Sequence, residues 1–572
     1  MSHPASHHRF FPPLKGEGAG KGRFFLSALL VATALGTSPA FAAALEGDAY
    51  KAAEAAYAAI AKGDLAAAET QARAALALQA DSTDAVRLVM DVLGRQGKGA
   101  EALSIADAAV AKGTVDADLR AARGYLLAAA GRSEAAAADF TAALKDPGLT
   151  ADRRAVSLSL ADAAAKDNDL VLTVLAPFAD DTSYDVQARI GFAAFALGRF
   201  EQARNAFAAA AVGAPSPEQK TAAFKGQAQA EVALGHGEAA GAIVRTLLGA
   251  SPACDMDIAY LLVRLGDDAT ALATFEGRCK DQMTAAAHLD AAYAARRLNR
   301  NAAASAHFKA ALDADRAAPT PGFDTVTAFG IQRGIDSLDR QFGLSAGAFY
   351  RGARTAAGGG SVGQGIVEAY WQPPVIGNRD GKLLQIYGRA GLNALTPASA
   401  VQTDSTQGAV GLRYKPFSDL NLLIAGERLF PIGDSAMKDW LVRAGYSMGL
   451  NTDLQPAQPS YWTGQIYGEA DYFVNQDRFI GTIEGRYGRD SRIGNSPNLL
   501  GSLFASAAYS YDAAERTKSA TAIGFGAGLR YWFRQTQYRA PSSFIQFDIM
   551  YRWKLGPTDR AAGLVLQSSL SF

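Results

Sequence analysis

Long apolar runs are scarce in this 572-residue chain, and beyond residue 42 none could cross a bilayer as a helix. Cysteine is nearly absent. The two present, Cys254 and Cys279, form no CxxC pair, and His236, His288 and His307 show no ligand spacing, so a redox, catalytic or metal-binding reading finds no support. No charge of one sign dominates, because 56 basic residues face 56 acidic ones. That balance excludes a global attraction to nucleic acid or to an anionic bilayer surface, and any electrostatic function has to be local. Tryptophan is missing before residue 371, and all five tryptophans and 14 of the 20 tyrosines lie after residue 340.

What is present divides into three parts. Residues 1–42 carry Arg9, Lys15, Lys21 and Arg23, then the 14-residue apolar run "FFLSALLVATALGT", then "SPAFA" with small Ala40 and Ala42. This order reads as a secretory signal peptide cut after Ala42. Residues 43–318 are crowded with alanine, a strong helix former. Near "AAPTPGFDT" the composition switches to strand formers, so residues 319–341 read as a linker and 342–572 as a second domain.

In the alanine-rich part, glycines expected at inter-helix turns recur at Gly63, Gly97 and Gly131, 34 residues apart, then more loosely at Gly198, Gly235 and Gly266, with Asn299 taking the last turn. Alanine follows each turn by five residues, and Phe140, Phe207, Phe275 and Phe308 follow by nine. A fixed period of this length means a solenoid, in which small residues let paired helices touch and the aromatic fills the gap between neighbours. The spacing resembles the tetratricopeptide repeat. Such a stack offers a groove for peptides, proteins or polymers and has no catalytic chemistry of its own. Cys254 and Cys279 fall at the open end of one helical hairpin, where an oxidising periplasm favours a structural disulfide.

From residue 342 the chain breaks into 12 segments of about ten residues that alternate apolar with polar, such as "YWTGQIYGEADYFV". Alternation alone fits a soluble sandwich as well as a membrane barrel. Aromatics gathered at segment ends, the terminal "LVLQSSLSF" and the signal peptide favour an antiparallel transmembrane β-barrel of about 12 strands. The polar register then lines a lumen with Glu368, Arg389, Arg413, Arg443, Tyr467, Glu469, Asp471, Glu484, Arg486, Arg530, Asp548 and Arg552. Mixed charges in so narrow a space would pair across it, as a gated conduit or as a plug. "GLSAG" at Gly343–Gly347 matches a nucleophile elbow, but Ser345 sits in an alternating segment rather than at a strand-to-helix turn. The expectation is a non-enzyme that needs no cofactor and no metal.

Within this domain, "GIVEAYWQPPVIGNRDGKLLQIYGRAG", "GERLFPIGDSAMKDWLVRAGYS" and "RYWFRQTQYRAPSSFIQFDIMYRW" resemble the C-terminal domain of the bacteriophage adsorption protein A family of Gram-negative outer membranes. The likeness spans most of residues 325–572. It implies an outer-membrane protein with a periplasmic repeat domain, acting with an inner-membrane glycosyltransferase in exopolysaccharide export and serving as a phage receptor. The partners it implies are outer-membrane lipid, exopolysaccharide, that glycosyltransferase complex and phage, with no nucleic acid. A looser likeness, by architecture only, is to repeat-plus-barrel exporters of other polysaccharides. The alternative from another class is a non-transporting surface receptor or assembly scaffold.

Overall fold

A computed structural model describes residues 45–351, 362–393, 403–558 and 560–572. The expected signal peptide, residues 1–42, lies outside the described residues. The chain divides into two compact units, one ending at Pro252 and the other running from Ala253 to Phe572.

The first unit is a stack of six helical hairpins: α1 (Gly47–Ala61), α2 (Leu65–Leu78), α3 (Thr83–Arg95), α4 (Gly99–Ala111), α5 (Ala117–Ala129), α6 (Ser133–Lys145), α7 (Arg153–Ala163), α8 (Asn168–Leu175), α9 (Tyr184–Ala196), α10 (Phe200–Val212), α11 (Pro217–Ala233) and α12 (Gly237–Ala250). Many helices begin at a capping side chain: Asp64, Ser82 and Asp116 accept from backbone N–H groups of the first turn. The turn glycines adopt φ of +73° to +80° in this unit, from Gly63 to Gly235, which only a residue without Cβ takes at no steric cost.

Packing follows the spacing. Ala68, Ala102, Ala136, Ala203 and Ala240 are fully buried. Phe140 and Phe207 are buried too, and each meets an aromatic of its hairpin partner edge-on, Tyr125 at 5.1 Å and Phe192 at 5.0 Å. Room for the Phe207 ring comes from Gly191 and Gly226, where an added Cβ would fall 2.8 Å and 2.7 Å from it. Ion pairs then tie neighbouring repeats, as Arg189 does to Asp162 at 2.6 Å.

The second unit continues the hairpins with α13 (Met256–Arg264), α14 (Asp268–Glu276), α15 (Ala285–Arg297) and α16 (Asn301–Ala317). The Tyr260–Phe275 and Tyr293–Phe308 pairs repeat the same edge-on contact. Residues 319–341, expected as a linker, carry a fifteen-residue helix, α17 (Thr325–Asp339). Its Ile331 and Ile335 bury against Phe308 and Leu312 of α16, so this segment gains apolar burial that a Pro/Gly-punctuated boundary did not suggest.

Twelve strands follow: β1 (Phe342–Arg351), β2 (Val362–Trp371), β3 (Lys382–Asn393), β4 (Gln407–Lys415), β5 (Leu422–Pro431), β6 (Asp439–Leu450), β7 (Ser460–Phe473), β8 (Arg478–Arg492), β9 (Leu499–Asp512), β10 (Ser519–Phe533), β11 (Ser543–Lys554) and β12 (Gly563–Ser571). Each pairs antiparallel with its sequence neighbours, and β1 pairs with β12, so the ring closes with no free edge. A two-residue strand, Asn378–Arg379, pairs only with β3 beside the ring. Because strands alternate in direction, Phe342, Ser460, Ser543 and Ser571 share one rim, the one that α17 enters.

Outside the ring, bulky apolar side chains lie exposed, among them Val442, Ile466, Leu503, Phe525 and Ile549. A contiguous apolar surface of this size is the kind that lipid covers. Trp371 and Trp462 stand near one rim and Trp440 and Trp553 near the other, all exposed. Trp532 differs from the expected girdle: its strand neighbours Tyr531 and Phe533 face out, whereas Trp532 turns inward and is buried. No described helix is long and apolar enough to cross a membrane.

Candidate luminal site

The inward register gathers its charges into two clusters. In the first, the Glu427 carboxylate of β5 is completely buried and accepts from the Tyr387 hydroxyl at 2.6 Å and from Arg389 at 2.6 Å, both on β3. Arg443 on β6 stands 3.6 Å from Glu427 and donates to Asp471 on β7 at 2.9 Å, with Glu469 at 3.8 Å. Tyr467 donates its hydroxyl to Glu469. Nearby, Arg413 on β4 reaches over β3 to Glu368 on β2 at 2.9 Å and lies 4.9 Å from the Tyr387 ring.

The second cluster spans more of the ring. Arg486 on β8 bonds Asp548 on β11 at 2.7 Å and Gln567 on β12 at 2.6 Å, while holding Glu484 of its own strand at 2.9 Å. Arg552 on β11 returns the link to Glu484 at 2.8 Å. Strand β8 is hydrogen-bonded to neither β11 nor β12, so these side chains cross the interior. Beneath them the interior is apolar: Phe504, Met550 and Val565 are buried together with Phe349, and the Arg486 guanidinium lies 5.0 Å from the Phe504 ring. Arg530, near the helix-side rim, donates to Gln546 at 2.7 Å.

Of the residues expected to be luminal, Arg389, Arg443, Tyr467, Glu469 and Asp471 meet in the first cluster with Glu368 and Arg413 beside it, Glu484, Arg486, Asp548 and Arg552 meet in the second, and Arg530 bonds Gln546. Glu427 and Tyr387 were missed. Glu427 alternates with Ala425 and Leu429, two apolar residues, so its register carried no polar signature, and only its partners mark it. Ser345 sits within strand β1, paired with Glu368 and Ser571, so the strand–turn–helix that a nucleophile elbow needs is absent there.

Away from the barrel, Cys254 and Cys279 are joined in a disulfide. His288 and His307 meet at 3.2 Å, and His307 also faces Glu276 at 3.3 Å. Burial, helped by the neighbouring His307, holds His288 below the ordinary histidine range. Among the described residues no group of three or more His, Cys, Asp or Glu is arranged to hold a metal ion.

Residues 398–568 match the family model described as Bacteriophage N adsorption protein A C-term. The match runs through β4 to β12 and includes both charged clusters except Glu368, Tyr387 and Arg389. Of the three motifs that carried the sequence resemblance, the first, Gly365–Gly391, precedes the matched residues. Bacteriophage adsorption protein A of Escherichia coli (strain K12) is 26% identical over 232 residues, covering 38% of this chain and 22% of that protein. The chain therefore matches about a fifth of the length of that relative. Among solved structures, a tetratricopeptide repeat protein from Parabacteroides merdae ATCC 43184 is 19% identical and covers 51% of this chain and 99% of its own, with a TM-score of 0.22. The P58(IPK) TPR domain is 18% identical over 51% of this chain and 89% of its own, with a TM-score of 0.19.

Proposed function

We propose that this chain is an outer-membrane protein whose barrel passes an exopolysaccharide outward while its helical repeats, on the periplasmic side, guide polymer or recruit an inner-membrane glycosyltransferase partner. One observation carries the reading: the barrel is built with its apolar side chains outward and its ion pairs within, so it suits lipid outside and water inside. Luminal Tyr467, Glu469, Asp471, Arg486 and Arg552 offer ring faces, hydrogen-bond acceptors and donors of the kind that sugar hydroxyls use. The proposed chemistry is binding and passage, with no covalent step.

Deletion of the chain is expected to abolish extracellular polysaccharide, restored by the full chain and not by residues 342–572 alone. Unchanged secretion in the deletion strain overturns the export reading. A second reading, a non-transporting surface receptor, draws on two observations: the named relative is a phage adsorption protein, and Arg486 bridges strands across the interior. Loss of phage binding with intact polysaccharide would select it.

A further inference from the structure

The helix that enters the barrel does more than connect. Its contacts fall on three turns of the helix-side rim. At β2–β3, Asn378 donates to the Ser337 carbonyl at 3.0 Å, and Gln372 reaches the Arg340 carbonyl at 3.3 Å. At β6–β7, Asp453 pairs with Arg333. At β10–β11, Gln332 donates to the Gln537 carbonyl at 3.1 Å, and Arg340 bonds Ser542 at 2.8 Å. These turns are four strands apart in a ring of twelve, one third of the circumference each.

A single straight helix that touches three points so spaced has to lie across the opening. The dimensions agree: fifteen residues make a rod ~22 Å long, and twelve strands spaced ~4.8 Å and tilted ~40° give a ring ~24 Å across.

The contact surface under this helix is mixed. Phe329 packs against Leu454, Tyr461, Leu500, Trp532 and Phe544 of the rim. Arg333 lies 5.1 Å from both the Phe329 and Trp532 rings. Yet the indole N–H of Trp532 and Nε of Arg333 are buried with no hydrogen-bond partner among the described residues. The next residues, Arg340 and Gln341, run straight into β1, so the helix has a pivot at one end.

We propose that α17 is the gate of the helix-side mouth, closed by Phe329 and Arg333 on Trp532 and Asp453, and opening by release of that edge. This deepens the conduit reading: a polymer approaching from the repeats meets a rim of aromatic and arginine side chains only once the helix lifts.

Ion current through the full-length chain in planar bilayers tests it. Arg486→Ala is introduced throughout to cut the luminal link from β8 to β11 and β12. Arg486→Ala by itself is expected to stay closed. Adding Phe329→Ala with Arg333→Ala, or Asp453→Ala from the barrel side, is expected to raise open time roughly tenfold or more, the shift that follows when one charge-assisted contact holding the closed state is lost. Heat-modifiable migration in detergent gels establishes that each barrel is folded. Steady current from Arg486→Ala alone, or silence of both folded gate variants, overturns the proposal. Polymer secretion is not read in this measurement, so the gate and the export reading fail separately.

Discussion

The helical repeats and the barrel solve opposite solvent problems. In the repeats, alanine and phenylalanine are buried and the Arg189–Asp162 pair lies toward the surface. In the barrel, Leu503, Phe525 and Phe547 are exposed while Glu427 and Asp548 are buried. Both obey the same rule, that each surface matches the medium it touches, and the comparison teaches that burial alone does not identify a core until the medium outside is known.

The comparison breaks most sharply at Glu427. Glu427→Ala leaves Arg389 and Arg443 without their buried partner and is expected to destabilise the barrel by about 3–5 kcal/mol, read as a lower urea midpoint in lipid vesicles. In the repeats the corresponding lesion is apolar: Phe207→Ala empties a ring site shaped by Gly191 and Gly226 and is expected to cost about 3–5 kcal/mol, followed by loss of helical circular dichroism on heating.

One substitution placed in both regions sharpens the contrast. Val410→Arg, on the exposed outer face of the barrel, is expected to cost about 2–4 kcal/mol in a bilayer. Val212→Arg, at an exposed helix end, is expected to stay within about 0.5 kcal/mol. Equal costs at the two sites would mean that the outer face of the barrel meets water.

The smallest expected effect is pH-dependent. His288 sits below its ordinary value of 6.5, so folding favours its neutral form. Its stabilising contribution is complete above that value and is lost as pH falls from 6.5 toward the lowered folded value, because the unfolded chain then takes up the proton first. Thermal scans of the helical signal should therefore fall as pH drops below 6.5 in the native chain, and more weakly in His288→Gln.

Particular residues show where legibility stopped. The repeat turns at Gly63, Gly97 and Gly131 and the phenylalanines nine residues after Gly131, Gly198, Gly266 and Asn299 were readable, because helix period and turn conformation are local properties. The twelve strands were readable for the same reason, since alternation is a period of two. Trp532 stands in the register of Arg530 and is buried, although composition at a strand end does not say which face a side chain takes. Glu427 was hidden among apolar neighbours of its own register.

By itself the sequence determined that helical repeats precede twelve alternating segments, and which side chains share a face of each strand. Only the tertiary structure decided that Arg486 meets Asp548 and Gln567 across the interior, that Glu427 takes two arginines and a tyrosine, and that α17 lies over the rim. The physical reason is ring closure. Once the sheet curls into a ring, side chains on strands as many as four places apart face one another across the interior, and neither period nor composition encodes which ones meet.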